Sequence, residues 1–201
     1  ATTTVTSNAW TLTGAEADIS ALDNGTITIT ADVSDLAGNA ATQATKTITL
    51  DNTASIAIDA TLEGDNIVNA AEDADVVVSG TTVGVEDGRT VTVVFTDASN
   101  VTVTATTTVT SNAWTLTGAE AEITSLDNGT KTTTADASDL AGNAATPATK
   151  TITLDNTASI AIDPTLERDN LVNSAEDAAV VVSGTTVGVE DGRTVPFAFA
   201  H

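Results

Sequence analysis

Residues 76–96 read VVVSGTTVGVEDGRTVTVVFT. Two β-branched runs, VVVSGTTV (76–83) and RTVTVVFT (89–96), flank the turn cluster VEDG (85–88). That pattern predicts two strands joined by a short loop. Outward from this stretch the reading stays all-β. IAI (56–58) precedes it, and NVTVTATTTVT (100–110), AWTLTG (113–118), TKTTTADA (130–137) and ATKTITL (148–154) follow. The clusters LDNG (126–129) and LAGN (140–143) separate the later runs. Threonine suits strands with one wet face, because its branched side chain fits the pleat while its hydroxyl meets water. Seven short strands at roughly ten-residue spacing predict an Ig-like β-sandwich. Only residues 123–127 and the stretch from Val68 to Asp75 read as helical turns.

The unit repeats. ATTTVTSNAWTLTGAE at 1–16 returns at 105–120, SIAID at 55 returns at 159, and SGTTVGVEDGRTV at 79 returns at 183. Each offset is 104 residues, and residues 1–97 match 105–201 at 80 positions without a gap. A period this long marks a tandem array of whole domains rather than a solenoid of small units. A boundary at LDNTASIAID gives 1–53 as the C-terminal part of one repeat, 54–157 as a complete repeat, and 158–201 as the N-terminal part of a third. Ala1 reads as an internal or processed start.

Composition removes several function classes. The 201 residues carry 28 acidic against 6 basic side chains, a formal charge of -22, and no cysteine. Nucleic-acid binding depends on Lys and Arg neutralising phosphates, so such a surface repels it, and anionic membranes with it. No apolar run is long enough to span a bilayer. Without cysteine there is no disulfide, zinc-thiolate site or thiol nucleophile. The single histidine is the terminal His201, so no Ser–His–Asp set can be assembled. Carboxylate pairs such as Glu86–Asp87 and Glu72–Asp73 fall in solvated turns rather than in an apolar cleft that would raise a pKa. The sequence is therefore read as non-enzymatic.

The order SGTT–GVEDGRTVTV–NAWTLT–LDNGT–ADxSDLAGNAAT–KTITLDNTA resembles the bacterial Ig-like repeats of giant secreted surface adhesins, including those of the repeats-in-toxin type. The resemblance covers the whole chain, and DLAGN (35–39 and 139–143) followed by a strand ending in LDNTA is its most specific part. It implies secretion by a Gram-negative cell, surface display and Ca²⁺ dependence. The glycine-rich nonapeptide of Ca²⁺-binding β-rolls is absent from the sequence, which places this piece in the stalk of such a protein.

Calcium takes about six to eight oxygens from carboxylates, amide side chains, carbonyls and water. An Ig-like sandwich sets its second and sixth loops beside the N-terminal link. Asp51 and Asn52 of the link are therefore expected near Glu86, Asp87, Asp139 and Asn143 of the next repeat. Asp155, Asn156, Glu190 and Asp191 repeat the pattern at the second junction. Turn capping is the competing reading for every one of these residues. Charge favours cations: residues 54–157 carry 15 acidic and 3 basic side chains, so neighbouring repeats repel unless screened.

A second candidate metal site is Asp59, Asp65, Asn69 and Glu72, the last three at helical spacing. Alternatively, Asp65 or Asn66 caps a short helix ending near Ala74. The third copy keeps Asp163, Asp169, Asn173 and Glu176, and replaces Asp75 by Ala179. Trp10 and Trp114 read as core anchors, with a sugar-stacking platform as the other reading. Asn24-Gly25 and Asn128-Gly129 read as tight-turn dipeptides. The inward face Ile27, Ile29, Ala31, Val33 becomes Lys131, Thr133, Ala135, Ala137 in the complete copy. Either Lys131 snorkels from a half-buried face or the middle domain packs poorly. If the face is buried, Lys131→Ile is expected to raise the melting temperature of an isolated 54–157 domain.

The expected function is a Ca²⁺-rigidified extender segment of a bacterial cell-surface adhesin, secreted and serving adhesion and biofilm formation, with neighbouring identical repeats as partners. The alternative is an extracellular filament, in which residues 158–201 of one chain complete residues 1–53 of another head to tail. Against it, Pro196 interrupts the strand that would have to pair.

Overall fold

A computed structural model describes residues 1–118, 122–167 and 170–200. Asp169 and His201 lie outside the described residues. The chain divides into two compact units, Ala1–Thr53 and Ala54–His201.

The second unit holds a two-layer sandwich. One sheet orders β3 (Ser55–Ile58), β5 (Val78–Val83) and β8 (Ala113–Leu116) side by side. The other orders β4 (Ile67–Val68), β10 (Ala148–Leu154), β9 (Gly129–Ala137), β6 (Thr90–Thr96) and β7 (Thr102–Thr108). All pairings are antiparallel except β4 with β10. This is the all-β, Ig-like arrangement expected from the strand spacing, with β4 added.

Alternation explains the two layers. Along β6 the residues Val91, Val93 and Phe95 are buried, and along β9 so are Lys131, Thr133, Ala135 and Ala137, while their neighbours face outward. β7 buries only Ala105, as befits an edge strand whose other side faces water. Between the sheets, Trp114, Phe95, Leu62, Leu116, Ile123 and Ile152 fill the centre. Trp114, only 2% exposed, is a core anchor. Gly80 sits opposite it in the β5–β8 ladder, and a Cβ there would lie 2.0 Å from Ala57 O and 2.7 Å from the indole.

The same unit continues into a hairpin of β11 (Ser159–Ile162) and β12 (Gly184–Val187), whose residues are all exposed. Residues 195–200, which include Pro196, form no strand.

The first unit is a hairpin of β1 (Gly25–Ala31) and β2 (Ala44–Leu50), preceded by a 3₁₀ turn at Gly14–Ala17. Its register, Gly25 opposite Leu50 through Ala31 opposite Ala44, matches that of β9 with β10. Trp10 is 55% exposed here, because the strands corresponding to β3, β5 and β6 are not part of residues 1–53.

Lys131 is 1% exposed, so the face it occupies is buried and the side chain does not reach solvent. Its Nζ donates to Gly129 O at 3.0 Å. Burial lowers its pKa from the ordinary lysine value, opposed by the charges of Asp97 and Asp127.

Candidate metal centre

Two loops of the sandwich meet at one end. The turn containing Glu86 and Asp87 is joined to the loop Ser138–Asn143 by two hydrogen bonds. Arg89 Nε donates to Ser138 O at 2.8 Å, and Leu140 N–H donates to Glu86 Oε2 at 2.8 Å. Asp87 Oδ1 accepts the N–H of Ser111 at 2.7 Å. Ser111 and Asn112 are both left-handed, at φ 53° and 61°. Such a turn costs conformational energy for non-glycine residues, and Asp87 helps to hold it.

Asp139 is fully buried. Its Oδ1 accepts N–H groups of Gly142 and Asn143, both at 2.7 Å, and its Oδ2 accepts Asn143 Nδ2 at 2.6 Å. Burial pushes its pKa up, but the Asn143 amide and the loop N–H groups outweigh that and hold it below the usual aspartate value. Asp35 and Asn39 repeat the arrangement at 2.8 Å in the first unit, and the Asn39 hydrogen bonds lower Asp35 likewise. DLAGN is thus a loop that binds its own aspartate.

The link residues are held by an asparagine to which the sequence reading gave only a turn role. Asn128 Nδ2 donates to Thr157 Oγ1 at 2.8 Å and to Asp155 Oδ1 at 3.5 Å, and Asn128 Oδ1 accepts the N–H of Asn156 at 3.3 Å. In the first unit Asn24 makes the same bonds to Thr53, Asp51 and Asn52, at 2.9, 3.2 and 3.2 Å. Asn156 Nδ2 also donates to Asp73 Oδ2 at 2.8 Å. At the second junction Glu190 and Asp191 are exposed, and Arg193 Nε pairs with Glu190 Oε2 at 3.4 Å. The Glu190 pKa lies below the usual glutamate value, through its own backbone N–H first and Arg193 second.

At the second candidate site, Glu72 Oε2 accepts the N–H of Asn69 at 3.0 Å, and Asn69 Oδ1 accepts the N–H of Ala71 at 2.8 Å. This is a variant of the capping box, in which the asparagine side chain accepts from the second following residue rather than from the glutamate's own N–H. The capping residue is Asn69, three or four positions beyond the expected Asp65 or Asn66, and it caps turns rather than a helix. Asp65 Oδ1 instead accepts the N–H of Ile67 at 2.8 Å, and Asp59 Oδ2 accepts Ser79 Oγ at 2.5 Å. Asn173 and Glu176 reproduce the box.

Among the described residues, no three carboxylate or histidine side chains gather closely enough to hold a metal ion. Glu86 and Asp87 each engage one carboxylate oxygen, which leaves Glu86 Oε1 and Asp87 Oδ2 without a hydrogen bond among the described residues. No helix among them is long and apolar enough to cross a membrane.

No protein-family model and no curated protein matches the chain. Its structural neighbours are extender and Ig-like domains of bacterial adhesins. A tetra-tandem repeat in the extending region of a large adhesion protein is 29% identical over 89% of this chain and 49% of that one, with a TM-score of 0.48. A Ca²⁺-stabilized adhesin that helps an Antarctic bacterium reach out and bind ice is 27% identical over 81% of this chain and 40% of its own, at a TM-score of 0.35. A bacterial immunoglobulin-like domain from the M. primoryensis ice-binding adhesin is 27% identical over 50% of this chain and 96% of its own, at a TM-score of 0.32. The chain therefore spans less than half the length of the first two.

Proposed function

We propose that this chain is a segment of a bacterial cell-surface adhesin stalk, in which Ig-like repeats of 104 residues, bounded at 53/54 and 157/158, hold a distal binding module away from the cell. The observation that carries this reading is the repeat itself. A sandwich with a fully packed core is followed, after a link of a few residues, by the opening strands of its own near-copy.

Calcium stiffens the junctions in this proposal. The free oxygens of Glu86 and Asp87, with Asp51 and Asn52 of the preceding link, are oxygen donors of the kind Ca²⁺ takes, and Asp139 and Asn143 shape the loop beside them. Glu190 and Asp191 with Asp155 and Asn156 serve the second junction. Affinity of about 10⁻⁴–10⁻³ M, the range of extracellular modules, suffices outside a cell. Calcium stabilises one of the similar adhesins; the assignment here stands on this chain's own carboxylates and on the repulsion that -22 imposes on an unscreened array. Small-angle scattering and thermal melting with Ca²⁺ and with chelator test it. Chelation should shorten or broaden the maximum dimension and lower the melting temperature, and unchanged values remove calcium from the stalk.

A second reading applies to a polypeptide of these 201 residues. Residues 1–53 leave a groove of 510 Å³ lined by Val5, Trp10, Leu12, Ile29 and Val33. Residues 158–200 expose Ile160, Ile162, Phe197 and Phe199. The complete repeat is the template for their union: β6 on β9 and β5 on β8. Copies joined head to tail in this way grow into an open filament. Sedimentation across a wide concentration range decides, since a monomer at every concentration removes the filament.

A further inference from the structure

Thr157 is gripped from both sides. From the preceding repeat, Asn128 Nδ2 donates to its hydroxyl at 2.8 Å, while Asn128 Oδ1 accepts the neighbouring N–H of Asn156. One residue earlier, Asp155 N–H donates to Val68 O at 2.9 Å, which continues the parallel pairing of β4 with β10. From the following repeat, Gly188 closes on the same residue. A Cβ at position 188 would lie 2.0 Å from Thr157 O and 3.3 Å from Thr157 Oγ1, and the glycine has φ +67°. That φ and that approach both require a residue without a side chain.

Little chain is left to flex. Only Ala158 separates the gripped Thr157 from β11, and only Ala54 separates Thr53, held by Asn24, from β3. Each residue contributes two soft backbone torsions, so a link with one ungripped residue is a short hinge. The asparagine bonds span 27 to 29 residues and recur with nearly the same distances at Asn24 and Asn128. An aspartate at this position would lose the amide donors and set a second carboxylate against Asp155.

We propose that Asn128 and Gly188 are the hinge-setting residues of this link, fixing it by contacts made within the protein before any cation binds. This rests on the stalk reading for its purpose, though not for its geometry. It shifts part of the stiffness from metal to chain. Calcium then acts on a link that is already held.

The test uses the full 201-residue chain and two measurements, each with Ca²⁺ and with chelator. Amide exchange of Asn156 reads the clamp directly. Asn128→Ala should speed it by about threefold to tenfold, the worth of one ordinary hydrogen bond, while core amides such as Val93 and Ile152 keep their rates. The second measurement exploits the absence of cysteine: labels at Thr104→Cys and Thr186→Cys report the distance across the link. Asn128→Ala and Gly188→Ala should each broaden that distribution without changing the β-sheet spectrum. Unchanged Asn156 exchange in Asn128→Ala overturns the inference. So does protection of Asn156 in the parent chain that exists only with Ca²⁺, an outcome that leaves the stalk reading intact. A broad parent distribution in both conditions, with Asn156 still protected and sensitive to Asn128→Ala, instead removes the rigid stalk and keeps the clamp as a local feature.

Discussion

Lys131 and Asp97 stand one step beyond the last rung of the β6–β9 ladder, Thr96 opposite Thr132, and both are buried, at 1% and 6% exposure. Asp97 Oδ1 accepts the N–H groups of Ser99 and Val101, and its Oδ2 has no hydrogen-bond partner. The lysine amine donates to Gly129 O. Asp97 is the first of two carboxylates whose charge favours the Lys131 ammonium, Asp127 being the other, so removing one member of the pair takes away part of what offsets the desolvation of the other.

This changes what Lys131→Ile should do. The face is buried, yet the single substitution strands Asp97, so its gain in apolar packing is offset. The double change Lys131→Ile with Asp97→Asn keeps the acceptor for Ser99 and Val101 and removes both charges. Its melting temperature should exceed that of either single variant, with a coupling of about 1–3 kcal/mol in a double-mutant cycle. Additivity within error would show that the two charges do not sense each other.

The lowered pKa of Lys131 predicts a rise in stability with alkaline pH. Between the depressed native value and the ordinary value of 10.5, the unfolded chain binds the proton more readily, so unfolding becomes harder as pH increases. No tyrosine or cysteine titrates in that window, and only three lysines are present. Chemical denaturation from pH 8 upward should show the rise in the parent chain and lose it in Lys131→Ile.

Asp139 predicts the opposite limb. Its native pKa is depressed, so its contribution is fully present above the unfolded value near 3.8 and disappears as pH falls through the native value. Asp139→Asn retains an acceptor for the N–H groups of Gly142 and Asn143. It should flatten the acid transition while leaving the neutral-pH structure in place. An acid titration as steep as the parent's would assign the acid sensitivity to other carboxylates.

Gly80→Ala should be among the most destabilising single changes available. The added carbon meets Ala57 O, a backbone atom, and the buried indole of Trp114, so neither neighbour can step aside cheaply. A loss of about 3 kcal/mol or more is expected from overpacking at such a site. Denaturant titration measures it, and a loss under about 1 kcal/mol would mean that the β5–β8 ladder opens readily.

Asn69→Ala separates cap from metal ligand at the loop 59–73. A lost capping residue costs about 1 kcal/mol, and the cost should be the same in Ca²⁺ and in chelator. A penalty seen only in Ca²⁺ would return Asp59, Asp65, Asn69 and Glu72 to the role of a cation site.

The strands were legible because alternation is a local property: β6 and β9 show their buried faces as every second letter. Ile67–Val68 was not, since a two-residue strand has no period, and its pairing with β10 exists only once the sheet has formed. The turn chemistry of DLAGN was legible in kind, as Asp and Asn at turn positions. Which acceptors Asp139 uses was not, because burial and loop closure decide it. The capping residue was misplaced for a related reason. Asp65, Asn66 and Asn69 are all competent caps, and the choice among them rests on where the chain turns. Asn128 showed only its Asn-Gly signature, and its partners lie 27 to 29 residues away. Composition carries no trace of such a bond.

Near-identical neighbours on one chain invite misassembly, in which a strand of one repeat docks into the sheet of another. The buried pair at Lys131 and Asp97 opposes this. If β1, with Ile27 at the corresponding position, entered the place of β9, Asp97 would face an isoleucine and lose the only buried ammonium near it. A charge that weakens the finished sandwich thereby penalises the wrong one more. The price in stability is exchanged for fidelity in choosing which β9 belongs to which core.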